Sequence, residues 1–250
     1  QPIPPERPLS APNGDDARPP LFEVLRSLAP ADSWWHTEQA ADFAGFDEVD
    51  LVCEIDDSFM HQGSCYEHTP REVPLIAALA ARDEVHPALR ATLVDSLFSA
   101  ATAGRRQVAQ DVDRRNALGL PHDERPTELL VRQAVAATAP ALLARWDDEC
   151  DLVRFALGLL AAAFPEHGHP LAAELRTWAV DEGATPRGRV LHLTADLAGQ
   201  DPDLDVTLAA MVADGFARTP PSPVAPAEGV AFSVLQEWAE LELSAPLEAL

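Results

Sequence analysis

Apolar residues recur along most of this chain at the three- and four-residue spacing of an amphipathic helix. Phe22, Leu25 and Leu28 repeat every three residues, and after Pro30 a second segment carries Trp34, Trp35, Phe43 and Phe46. Further on, four segments share one plan, an apolar helix closed by acidic residues: VPLIAALAARDEV, APALLARWDDEC, HPLAAELRTWAVDEG and LDVTLAAMVADG. Second apolar segments follow, HPALRATLVDSLFSAA, CDLVRFALGLLAAAF and TPRGRVLHLTADLAG, each with an arginine near its first turn: Arg90, Arg154 and Arg189. The acids Asp83, Asp147, Asp181 and Asp214 are 64, 34 and 33 residues apart. The first interval is close to two periods of about 32 residues, the self-similarity expected of helical repeats. The pattern therefore predicts an all-α fold of stacked helix pairs, an α-solenoid, with one divergent unit between 83 and 147. The polar run GRRQVAQDVDRRNALGLPHDER (104–125) belongs to that unit, either as an extension of the preceding helix or as an inserted excursion.

The period fails in three places. Residues 1–20 hold seven prolines among polar residues, which excludes both helix and paired strand and predicts a flexible, polyproline-like arm. Residues 21–250 then read as one helical-repeat domain. Within it, VDLVCEIDDSFMHQGSCYEHT (49–69) gives way to a polar loop around Gly63 and is the least regular part of the core. The stretch TPPSPVAPAEG (219–229) predicts a second irregular loop before a last amphipathic helix, FSVLQEWAELEL.

Charge narrows the function classes. There are 41 Asp and Glu against 18 basic residues, a formal net charge of -23, and every basic residue is arginine. Nucleic-acid binding draws most of its affinity from phosphate neutralisation by Arg and Lys, so no nucleic-acid partner is expected and a protein or peptide with a basic surface suits better. Three cysteines, Cys53, Cys65 and Cys150, do not make a disulfide framework. No apolar run approaches the roughly 20 residues of a membrane span, so no membrane association and a cytoplasmic location are expected.

The acidic turn followed by Val-Arg in WDDECDLVRFALGLLAAAF resembles the second block of the HEAT repeat. FMHQGSCYEHTPREVPLIAALAARDEV is similar to the loop and helix of a set of actinobacterial HEAT-repeat proteins with a His-Gln-Gly and Tyr stretch ahead of a helix beginning Val-Pro. The resemblance covers roughly residues 49–215. It implies a non-catalytic scaffold that binds a partner along a concave face, here an acidic one. Two enzymatic HEAT-like families fit less well. The alkylpurine DNA glycosylases use basic concave surfaces, and deoxyhypusine hydroxylase binds iron through His-Glu motifs, a dipeptide absent here.

Four constellations could carry chemistry. His61, Cys65, Tyr66 and His68, with Glu54, Asp56 and Asp57 upstream, gather a base, a thiol, a phenol and carboxylates within fifteen residues. A His-acid pair there could do general acid–base work, with His61, Tyr66, His68 and Asp57 as the catalytic candidates. Trp34, Trp35 and Tyr66 could line an apolar pocket beside the loop, giving a small-molecule site or enzyme of specialised metabolism as the alternative to the scaffold. His61, Cys65 and His68 have the offsets of zinc ligands but lack the second, separated ligand pair of a zinc signature, so no metal and no cofactor are expected. Asp147, Asp148 and Asp151 match by letters the Asp-rich magnesium motif of terpene synthases, without the facing Asn-Ser-Glu motif. His167 and His169 in PEHGHP, with Glu166 or His192, form a third set that fits a solvated turn. Arg90, Arg154 and Arg189 could align either as a ladder of ion pairs with the turn acids or as an anion site in a groove. No Gly-rich phosphate loop, serine elbow or dinucleotide fingerprint occurs.

Overall fold

The computed structural model describes residues 20–217 and 221–250, so all of the predicted arm except Pro20 lies outside the described residues. Among them the chain forms twelve α-helices, short 3-10 turns and one two-stranded hairpin, which establishes the all-α class. No helix among the described residues is long and apolar enough to cross a membrane.

The apolar segments form successive helices joined by short turns. Helices α3 (Thr69–Ala80) and α4 (Pro87–Gln110) are joined by the turn that carries Asp83, and α6 (Pro126–Leu143) leads to α7 (Asp151–Ala163) through the 3-10 turn Trp146–Asp148. Helices α9 (Ala172–Glu182) and α10 (Pro186–Gly199) make a third pair, and α11 (Leu204–Ala213) precedes α12 (Ala227–Glu248). Proline opens α4, α6 and α10, where its missing N–H costs nothing. Asp181 lies inside the last turn of α9 rather than in a connection, so the acidic mark does not fall at one structural position in every unit.

Helix α4 is the hub. Leu89, Leu93, Val94, Leu97, Phe98, Ala100 and Ala101 are buried on all sides of it, as expected of a helix with neighbours all round. It packs against α2 (Glu48–Phe59), α3, α6 and α7, while α7 in turn packs on α10. The last helix departs from simple stacking: α12 lies mainly along α4, and only marginally against α10 and α7. Phe98 meets Phe232 edge-to-face at 6.0 Å, and Arg105 bonds Glu228 at 2.7 Å. The approach is close enough that a Cβ on Gly229 would sit 2.5 Å from the Arg105 carbonyl oxygen. The run 104–125 begins as the extension: α4 continues to Gln110, turns at Asp111 into α5 (Val112–Leu118), and stops at Gly119, whose φ of +63° is the left-handed cap glycine supplies cheaply. Of the expected loop at 219–229, Ala227 and the two residues after it already belong to α12.

The segment 49–69 departs furthest from the irregular loop expected there. Its first half is helix α2, not loop. Leu51, Val52, Ile55 and Phe59 form its buried stripe, and the Asp47 carboxylate caps it by accepting the Asp50 N–H at 2.8 Å. The second half is a tight hairpin, β1 (Met60–His61) against β2 (Ser64–Cys65), turned by Gln62 and Gly63 with φ of 49° and 75°. Two consecutive positive φ angles define the turn type whose twist suits a two-residue hairpin, and Gly63 takes its angle without strain.

Candidate functional site

The hairpin places its side chains by tying itself to the end of α2. A helix leaves its last carbonyls unbonded, and here the returning chain supplies the donors. The Thr69 hydroxyl bonds the Phe59 carbonyl at 2.7 Å and accepts the Tyr66 N–H at 2.9 Å, while His68 Nε2 bonds the Ser58 carbonyl at 2.9 Å. A carbonyl can only accept, so Nε2 carries the hydrogen and Nδ1 is left for other use. His61, Tyr66 and His68 form a row of near-parallel rings, with centroids 6.3 and 5.3 Å apart.

On the other side, Ser33 caps the 3-10 turn Trp34–His36 by accepting the Trp35 N–H. Trp34 and Trp35 meet edge-to-face at 5.0 Å, and Phe43 packs on both, with Phe46 behind it at 4.9 Å. Trp35 is buried and Trp34 is 44% exposed, so one ring anchors the cluster and the other faces out. Between this cluster and the hairpin lies a half-open cavity of about 390 Å³ lined by Trp34, Trp35, Ser58, Tyr66, His68 and Glu72. Its size and its mainly aromatic lining with few polar groups are those of a small-ligand or side-chain pocket. Glu72, one turn past His68 on α3, is the only carboxylate in the lining. Burial raises its pKa above the usual range, against the pull of the His68 charge and a hydrogen bond from Trp35.

The structure thus brings Trp34, Trp35, Tyr66 and His68 together and separates the rest. Asp56 and Asp57 line a different cavity, shared with Asp95, Arg106, Gln236 and Glu240. Asp56 accepts the Ser96 hydroxyl at 2.6 Å there, so the upstream carboxylates are not partners of the histidines. His61 joins the ring row but not the lining, and Glu54 is exposed on α2 and lines neither cavity. The Cys65 thiol faces α4, with Sγ 3.7 Å from the Ala100 carbonyl, and burial pushes its pKa up to about 12, which makes it a packing thiol rather than a nucleophile or ligand. Among the described residues no three His, Cys, Asp or Glu side chains converge at metal distance.

The three arginines do not share a groove. Arg90 is buried and bonds both carboxylate oxygens of Glu149, in the turn before α7, with Asp83 at 3.4 Å. Arg189 pairs with Asp214 at the end of α11, and Arg154 bonds the Trp146 and Asp147 carbonyls at 2.8 and 3.0 Å. Two of them therefore link successive helix pairs, and the third braces its own turn.

Ser58, Glu72 and Asp95 line these cavities without standing out in the sequence motifs. Glu72 had a signal, since a carboxylate four residues after His68 on a helix shares its face. Asp95 had one too, as a single acid inside the apolar run ATLVDSLFSAA. No family model, curated protein or solved structure matches this chain.

Proposed function

We propose that this protein is a non-catalytic binding module, built on a HEAT-like frame, that docks a basic protein or peptide by seating one of its cationic side chains in the aromatic cavity. The observation that carries the reading is the convergence of Trp34, Trp35, Tyr66 and His68 with the single carboxylate of Glu72 around one half-open cavity. Ring faces attract a cation by about 0.5–2 kcal/mol according to desolvation, and a lone half-buried carboxylate adds a counter-charge. The net charge of -23 would speed the encounter with a basic partner and make it salt-sensitive. In this reading the acidic groove expected from the sequence supplies long-range attraction, and the cavity supplies the specific contact.

Fluorescence anisotropy with a labelled penta-arginine peptide tests it. Binding at low salt should fall on Glu72→Gln and on Trp34→Ala, each by roughly tenfold, whereas Asp205→Asn, on an exposed face of α11, should leave it unchanged. Equal losses in all three variants would reduce the effect to net charge and overturn the assignment. If neutral aromatic compounds compete as well as the peptide and Glu72→Gln binds unchanged, the cavity is a small-molecule site instead.

A further inference from the structure

The lining of the aromatic cavity combines much ring surface with few free polar atoms. The Trp34 and Trp35 planes stand at 78°, so the two indoles form a corner, and on the hairpin side Tyr66 and His68 stack within 13° of parallel. Trp34 and Tyr66 are exposed, which leaves their rings open to an incoming group. The polar atoms are largely engaged within the protein. The Ser58 hydroxyl donates to the Ile55 carbonyl at 2.8 Å, His68 Nε2 donates to the Ser58 carbonyl at 2.9 Å, and Trp35 donates to the Glu72 carboxylate. A guanidinium is best met by a carboxylate whose two oxygens are both free for a bidentate pair, and Glu72 already serves Trp35. A primary ammonium brings three strongly hydrated donors that must be satisfied again once water is stripped from them. A quaternary ammonium brings the same charge with no N–H at all, spread over methyl groups that pack against ring faces.

We propose that the aromatic cavity selects a quaternary, N-methylated ammonium, carried on a side chain of the basic partner, over a guanidinium or a primary ammonium. The inference rests on the function proposed above, in which a cationic side chain enters this cavity, and it adds which cation that is. The methyl groups bury apolar surface in the corner between Trp34 and Trp35, and the charge is held by the rings and by the Glu72 carboxylate. A side chain suits the opening better than a free amine. The cavity is half open and holds about 390 Å³, so the head group can enter while its aliphatic stem runs out to solvent. The net charge of -23 also attracts a partner bearing several cations more strongly than a monovalent amine.

Fluorescence anisotropy of the full chain with labelled peptides tests this at low salt and neutral pH. The peptides share a lysine-rich sequence and differ at one central residue: trimethyllysine, lysine, arginine, or a neutral isostere with carbon in place of the quaternary nitrogen. The trimethyllysine peptide should bind roughly tenfold tighter than the lysine and arginine peptides, and the neutral isostere should fall to the lysine level. Trp34→Ala, at an exposed ring, should erase the preference and bring the trimethyllysine and lysine peptides to equal affinity. Asp205→Asn should preserve it. Equal affinity of those two peptides for the wild type would overturn this inference, and a loss of both on Glu72→Gln would leave the cation seat itself standing. Absence of saturable binding by every peptide would overturn the proposed function along with it. A neutral isostere that binds as tightly as trimethyllysine would mean an apolar slot with no charge requirement and would overturn the selection. Choline that displaces the trimethyllysine peptide at equal concentration would make the ligand a free amine and overturn the side-chain assignment.

Discussion

The helical body from α4 through α7 to α10 and the N-terminal edge around α2 and α3 differ in where their carboxylates find partners. In the body, ions are matched across successive helix pairs: Arg90 is 6% exposed and Glu149 5%, and Arg145 bonds the same carboxylate at 2.8 Å. At the edge, α2 separates two cavities, one holding the Glu72 carboxylate against aromatic rings and the other lined by Asp56 and Asp57 together with Asp95 of α4. Successive residues of a helix point about 100° apart, so Asp56 and Asp57 face one cavity while Ser58 faces the other. The difference is one of pairing: in the body Arg90 and Glu149 meet each other within the fold, whereas at the edge the Glu72 carboxylate lines a half-open cavity.

Removing one half of a matched pair should have the largest effect. Glu149→Ala leaves Arg90 buried with only the long contact to Asp83, and thermal or urea unfolding should show a loss of about 3–5 kcal/mol. Peptide affinity in the surviving folded fraction should not change, and a drop would mean that body and edge are coupled. Next comes the crossing of α12 over α4, where Gly229→Ala forces a methyl against the Arg105 carbonyl and should cost about 1–3 kcal/mol in urea unfolding.

The pH dependence sharpens the contrast from the edge. The folded Asp95 carboxyl titrates near 8, above its unfolded value, so its protonated form stabilises the fold at low pH. That contribution is lost as pH rises through about 8, at no more than about 1.4 kcal/mol per pH unit. Melting temperatures of Asp95→Asn should therefore decline less than wild type between about pH 4 and about pH 8, and parallel curves across that range would remove Asp95 from the account. The smallest effect on stability is expected at the exposed ring: Trp34→Ala should shift unfolding by less than about 1 kcal/mol, while cutting peptide binding far more.

Much of the frame was legible in the letters. The apolar period placed most of the helices and with them the all-α class, and Pro87 and Pro186 fall at the starts of α4 and α10. Helix α2 was hidden because acids fill its solvent face and dilute its apolar stripe to Leu51, Val52, Ile55 and Phe59. Trp34, Trp35 and Tyr66, expected from the sequence to share a pocket, line one cavity, whereas Asp56 and Asp57, close to the histidines in sequence, line another. Closeness along a chain does not fix the direction of a side chain.

What the sequence determined by itself is what depends on neighbours within a few turns: helical class, the caps, the overall charge, and the apolar faces that had to be buried. Only the tertiary structure decided that Arg90 meets Glu149, that α12 folds back along α4, and that Gln236 and Glu240 close an acidic cavity opened by Asp56 and Asp95. Those partners lie 59 residues apart for the ion pair and 137 for Ser99 with Gln236. No local preference encodes contacts at such range, because they follow from how whole helix faces pack.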